Sequence, residues 1–145
     1  MLAQFLGTNA LKTAFLKFPT LETLAIARPC NLLILATQTT IKKELYKHPS
    51  FVSIVPNEQE QVLVNQIIDR VEQNKVLEED AVNLTGLIRK MQERAIFDGV
   101  VLGCTELSVL FERYPQHFLN SELHVSIFDT TSILTQSLVK SAFET

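Results

Sequence analysis

The chain has 145 residues, 13 Lys and Arg against 16 Asp and Glu, a net charge of −3 and 46% hydrophobic residues. That is one domain or one lobe, with the composition of an ordinary globular chain able to bury its own core. Lys42-Lys43 and Arg89-Lys90 are the adjacent basic pairs, so there is no basic footprint for nucleic acid, and no apolar run is long enough to span a membrane. The opening MLAQFLGTNALKTAFLKF has no basic stretch ahead of its apolar residues, unlike a signal peptide. Two cysteines, Cys30 and Cys104, suit a reducing compartment rather than a disulfide framework. A cytoplasmic protein is expected.

Taken in chain order, the first thirty residues offer no strand. Residues 9–18 and 21–27 read as two helical pieces with Pro19 between them, a surface arm or the remnant of a preceding unit. Four short β-type runs follow: NLLILA (31–36), FVSIV (51–55), GVVLG (99–103) and HVSIF (124–128). The first and third are continuously apolar, as in strands covered on both faces. After the first, Thr39 or Thr40 is expected to cap a helix carrying Ile41, Leu45 and Tyr46. After the second, Asn57 is placed to cap a helix whose apolar positions are Val62, Ile67, Ile68 and Val71. A further helix is expected over 78–95, and a last one after Asp129. Strands alternating with helices predict an α/β unit with a four-stranded parallel sheet, helices on both faces, right-handed crossovers and strand order 2-1-3-4.

In such a sheet, ligands gather at the carboxyl ends of the strands. Cys104 follows GVVLG and opens the helix-like segment TELSVLFER. Free N–H groups and partial positive charge at a helix N-terminus favour thiolate. Gly103 permits close backbone approach, Thr105 offers a hydroxyl and Glu106 a carboxylate in the first turn. The plain alternative is a cysteine buried at the end of a core strand, since free cysteines are commonly buried.

GCTEL after an apolar strand resembles the second catalytic-cysteine motif of the aspartate/glutamate racemase family. Glutamate in the position of Glu106 resembles the aspartate-racemase-like branch, where cell-wall glutamate racemases carry histidine. LLILATQTTIKKELY, IVPNEQEQVLVNQII and FDTTSIL resemble further family segments in the same order, so the likeness covers residues 31–145. It implies one lobe of a two-lobed fold, the C-terminal one, in an enzyme that uses no cofactor. It also implies a small amino-acid substrate, aspartate or glutamate, held between lobes that each present one cysteine. One thiolate removes the Cα proton and the opposite thiol returns a proton to the other face. On this basis Cys104 is the acid–base group. Thr105, the turn containing Thr37, Thr39 and Thr40, and nearby N–H groups are the candidate carboxylate binders. Glu106 and, more remotely, Asn57 complete the candidate site.

The chain departs from that pattern in two places. The family's earlier cysteine, in a CNT-like motif, has no counterpart ahead of the first strand; LGTNA at 6–10 carries a threonine and an asparagine but no cysteine. Leu134 stands where relatives often carry histidine. Cys30 is a poor substitute, because it precedes the first strand and Cys104 follows the third. Six strand residues at ~3.3 Å put roughly 20 Å between those sheet edges. Cys30 is therefore read as a packed residue. The missing half implies a separate first-lobe chain, a homodimer pairing Cys104 with Cys104 about a twofold axis, or a non-catalytic lobe that binds a small acid or oligomerises. A relative of the hydantoin racemases or decarboxylases is a further alternative.

The remaining polar residues have blander readings. His48, His117 and His124 lack metal-ligand spacing, so no metal is expected. Lys75 reads as an exposed loop lysine, although some relatives place a basic substrate contact nearby. Asp129 reads as a helix cap, and Glu58 and Glu60 as complements to a helix N-terminus. There is no GxGxxG or P-loop.

Overall fold

A computed structural model describes residues 31–119 and 122–143. The expectations for residues 1–30, Cys30 included, lie outside the described residues. Four strands, β1 (Asn31–Leu35), β2 (Val52–Ile54), β3 (Gly99–Leu102) and β4 (Ser126–Asp129), form one sheet in the order β2-β1-β3-β4. Every pairing is parallel. The fold class and strand order are those expected from the alternation of elements. Between the strands run α1 (Gln38–Lys42), α2 (Glu58–Glu72), α3 (Glu78–Gln92), α4 (Thr105–Arg113), the short α5 (Pro115–Phe118) and, last, α6 (Thr130–Phe143).

Period-two alternation divides the central strands between two cores. Leu33, Leu35, Val100 and Leu102 pack with Val64, Ile67, Leu84, Ile88, Met91 and Leu107 from α2, α3 and α4. On the other face, Leu32, Ile34 and Val101 pack with Ile41, Leu45, Tyr46, Phe51 and Phe128. Burial on both faces explains why β1 and β3 are apolar throughout. β2 is an edge strand, and its Val52 is 60% exposed.

Local chemistry fixes the ends of the elements. Asn31 ties the start of β1 to the lead-in of β3, with Nδ2 donating to Ile96 O at 2.8 Å and its N–H to Asp98 Oδ2 at 3.1 Å. Asn57 caps α2 in a full capping box: Oδ1 accepts from Glu60 N–H at 2.9 Å, and Glu60 Oε1 accepts from Asn57 N–H at 2.8 Å. Glu60 is buried and ion-paired with Arg94 beyond the end of α3. Burial alone would raise its pKa. The Arg94 hydrogen bond, the Asn57 N–H and the charges of Arg94 and Lys90 outweigh that, and hold the carboxyl below the ordinary 4.5.

Several expected boundaries shift. Thr37, not Thr39 or Thr40, caps α1, accepting from Thr40 N–H at 3.2 Å; Thr39 and Thr40 lie inside the helix. The cap lies two residues ahead of Thr39 because Thr37 is the first residue past the buried strand end that carries a hydroxyl. Phe51 leaves β2 and bridges to His48 in a tight turn. β4 begins at Ser126, because His124 has φ 51 and a left-handed residue breaks the extended run. α3 stops at Gln92 rather than near residue 95, in a turn where Ala95 N–H still reaches Met91 O at 2.9 Å. α5 was not expected; Pro115 at its first position starts it.

Two outcomes test this packing. A Cβ on Gly99 would lie 2.6 Å from Phe128 Cε2 and 2.9 Å from Leu32 Cδ2. Gly99→Ala is therefore expected to cost about 1–3 kcal/mol in urea unfolding. Glu60→Gln is expected to cost about 1–2 kcal/mol at pH 7 through loss of charge-assisted bonds. Because the folded pKa is depressed, that stability is present above the ordinary carboxylate range and is lost as pH falls through the lower folded value. Unfolding measured at pH 7 and in acid should thus show a shallower acid loss for Glu60→Gln than for the wild type.

Candidate functional site

The sheet register defines the candidate site. Leu35 pairs with Leu102, and Leu102 with Asp129. Just past these ends, Thr37 caps α1, Cys104 caps α4 and Thr131 lies in the first turn of α6, so all three fall at the carboxyl end of the sheet. Asn57, three residues past the end of β2, caps α2 at the same end of the sheet. The strand ends close tightly: Gly103 N–H donates to Leu35 O at 2.8 Å, and a Cβ on Gly103 would lie 3.0 Å from both Ala36 Cβ and Tyr46 Cε2. A side chain there, next to Cys104, would press on both neighbours.

Cys104 is the N-cap of α4 in extended conformation (φ −146, ψ 158). Its placement at a strand end and helix start is as expected, but the electrostatic expectation is corrected. Burial pushes the Cys104 thiol up to about 12, and the Glu106 carboxylate, which faces it and accepts its hydrogen bond, pushes the same way. The Leu107 and Glu106 N–H groups favour thiolate and are outweighed; neither closes a capping bond onto the sulfur. Cys104 is 4% exposed and shares the core with Leu107 and Leu102. In this chain it is a protonated thiol at neutral pH. The helix terminus loses because removing a thiolate from water costs more than a first-turn dipole returns.

A polar network supports the rim from below. Ser108 Oγ donates to Asp129 Oδ1 at 2.5 Å, and lies 3.0 Å from Thr131 Oγ1 and 3.3 Å from Cys104 O. Asp129 Oδ1 also accepts from Ser132 N–H at 3.4 Å, the helix-capping role expected of it. Thr130 Oγ1 donates to Leu102 O at 2.7 Å. Thr105 Oγ1 donates to Glu106 Oε2 at 3.2 Å, which aims that carboxylate. Thr37 and Thr40 share a hydroxyl hydrogen bond at 3.0 Å, and Thr39 is exposed.

The predicted residues do not all converge. Thr37, Cys104, Thr105 and Glu106 share the rim. Asn57 lies at the same end of the sheet, its oxygen committed to the capping box. Lys75 is exposed beyond the C-terminus of α2, whose 15 residues put about 22 Å between its ends. His48 stacks on Phe51 with centroids 5.7 Å apart, His117 Nε2 lies 2.9 Å from Glu78 Oε1, and His124 is exposed. Among the described residues, no three His, Cys, Asp or Glu converge on a metal position, and no helix is long and apolar enough to cross a membrane. Leu134 is buried.

Sequence reasoning missed Tyr46, Thr130, Ser108 and Gln61. Gln61 Nε2 donates to Ala36 O at 2.9 Å and holds the end of β1. Among the described residues, its buried Oε1 has no hydrogen-bond partner. The available signal was polar groups at otherwise apolar positions: a tyrosine tip, and a threonine pair directly after Asp129.

Glu106→Gln is expected to lower the Cys104 pKa, because it removes the facing negative charge. Alkylation by iodoacetamide at pH 8 to 9 should accelerate by about threefold to tenfold, with unfolding unchanged; an unchanged rate would show that the carboxylate does not face the sulfur.

Comparison with known proteins accords with this fold. The profile of the Asp/Glu/hydantoin racemase family matches residues 21–138. No functionally curated protein matches the chain. Among solved structures, the chain is similar to a Yersinia pestis protein provisionally assigned as an Asp/Glu racemase, with a TM-score of 0.67 and 21% identity. The match covers 86% of this chain and 53% of that one, so the chain spans about half the length of the structure it resembles. At this identity the likeness is one of fold. The family match spans most of the chain, and the chain belongs to the Asp/Glu/hydantoin racemase family.

Proposed function

We propose that this chain supplies one lobe of a cofactor-independent amino-acid racemase of the aspartate/glutamate type, with Cys104 as the acid–base group at Cα. The observation that carries the reading is Cys104 just past the carboxyl end of β3 in a parallel sheet, at the start of α4 and next to Thr105. Inversion at one carbon needs a proton removed from one face and another delivered to the opposite face. A thiol held protonated is suited to delivery. The S–H bond breaks, a C–H bond forms on the carbanion, and the electron pair stays on sulfur beside the Leu107 and Glu106 N–H groups. In the reverse direction the same sulfur takes the proton. The substrate carboxylate would lie against Thr37, Thr40, Thr105 and the adjoining N–H groups, where charge developing at Cα is stabilised.

The opposite base comes from a second body in this reading, either a partner copy or a separate first-lobe chain in the same reducing cytoplasm. The burial of Cys104 favours a second reading, a non-catalytic lobe that binds a small acid or oligomerises. A hydantoin or related acid in place of the amino acid would use the same thiol on a different ring or chain carbon.

Solvent-deuterium exchange at Cα of aspartate and glutamate, run alongside sizing, separates these readings. The assembled protein is expected to exchange deuterium into one of them, and Cys104→Ser to reduce the rate at least about a hundredfold, the lower range for loss of a general acid–base group. Exchange indifferent to Cys104→Ser contradicts the proposal. Dicarboxylate binding with no exchange in any assembly supports the non-catalytic reading, and exchange only at a hydantoin carbon the third.

A further inference from the structure

A helix that begins at a cysteine lacks the usual means of holding its first turn. Thr37 caps α1 and Asn57 caps α2 through side-chain oxygens, but Cys104 makes no such bond at the start of α4. An uncapped first turn frays. A thiol bonded back onto its own helix would be occupied, so a cysteine in this position stays available only if another group holds the helix start. Ser108, one turn further along α4 and 6% exposed, is placed to do so. Its N–H donates to Cys104 O at 3.2 Å, and its Oγ lies 3.3 Å from the same oxygen. A serine hydroxyl carries a single proton. The 2.5 Å contact assigns that proton to Asp129 Oδ1, so in the 3.0 Å contact the Thr131 hydroxyl is the donor. Asp129 Oδ1 also accepts from Ser132 N–H at 3.4 Å. Asp129 is the last residue of β4 and pairs with Leu102 of β3. The starts of α4 and α6 are thereby fastened to each other and to the ends of the two strands that lead into them.

We propose that Ser108 and Asp129 form a clasp that replaces the missing N-cap of α4, which makes them positioning residues for Cys104. This rests on the reading of Cys104 as the acid–base group. The clasp reaches the cysteine through its carbonyl, not its sulfur, so it fixes the residue and leaves the thiol uncommitted. A serine inside a helix commonly bonds the carbonyl four residues back, which restrains nothing outside its own helix. Here the hydroxyl is turned past that carbonyl onto the carboxyl group of another element, at 2.5 Å against 3.3 Å. Thr130 completes the brace on the strand side, where its hydroxyl holds Leu102 O, two residues ahead of Cys104.

The test reads the thiol directly, so it stands whether or not the assembled protein turns over. Alkylation of Cys104 by iodoacetamide at about pH 8, where the thiolate is the reacting form, is located by mass spectrometry. It is followed in folded wild type, Ser108→Ala, Asp129→Ala, the double variant and Asp129→Asn. Ser108→Ala and Asp129→Ala should each react at least about fivefold faster, as a helix start that has lost its cap opens more often. The double variant should exceed the faster single variant by no more than about twofold, because either change opens the same clasp. Asp129→Asn keeps an oxygen for the Ser108 hydroxyl and should stay within about twofold of wild type. Gly99→Ala, at the opposite end of β3, is the control: it should lower stability and leave the rate unchanged, which separates positioning from a general loss of stability. If Asp129→Ala does not fold, Asp129→Ser replaces it, since the shorter side chain can still cap α6 but falls short of Ser108. A folded Ser108→Ala with the wild-type rate overturns the proposal. So do multiplying effects in the double variant, or an equal acceleration in Gly99→Ala. Cα exchange indifferent to Cys104 would remove the acid–base reading and leave these rates as they are.

Discussion

The structure turns on a contest at one sulfur atom between desolvation and the start of a helix. Position alone makes Cys104 an activated cysteine: strand end, N-cap, two N–H groups facing it. Burial reverses that, and Glu106 reinforces the reversal. The thiol is consequently held toward its protonated form, the state that the proposed proton delivery requires. This suits one half of a two-sided proton transfer, in which the acid and the base occupy opposite faces of one carbon.

The rest of the architecture serves to put that sulfur where it is. β1 and β3 are buried on both faces, so their carboxyl ends are fixed by two cores rather than one. Gln61 anchors the end of β1, Ser108 links the Cys104 carbonyl to Asp129, and Thr130 reaches back to Leu102. Gly103 lets these ends meet without a side chain between them. Tyr46 then fills what glycine leaves. A row of strand ends braced in this way presents a rim that does not require a mobile loop to organise it.

Much of this was legible in the residues. Continuous apolar runs at NLLIL and GVVL mark strands buried on both faces, and alternation with helices dictates the parallel order. Asn57 ahead of the apolar periodicity marks the cap of α2, with Glu60 an acidic residue of its first turn; that the two close a capping box is visible only in three dimensions. GCTEL places the thiol. What sequence did not disclose is three-dimensional: the Thr37–Thr40 hydroxyl pair that moves the α1 cap, and the left-handed His124 that delays β4. The sign of the Cys104 shift was hidden for the same reason. A helix N-terminus is visible in a string of letters, whereas the depth of a side chain depends on the core it joins, here one that draws Val64 and Leu84 from distant helices.

The central claim is that burial outweighs the helix terminus at Cys104. It is tested most directly by thiolate absorbance near 240 nm as a function of pH, with Cys104→Ser as the blank. The account predicts no ionisation step assignable to Cys104 below about pH 10, since burial raises the thiol far above its ordinary value. A step at or below about pH 8, in the folded chain and absent from Cys104→Ser, would contradict it.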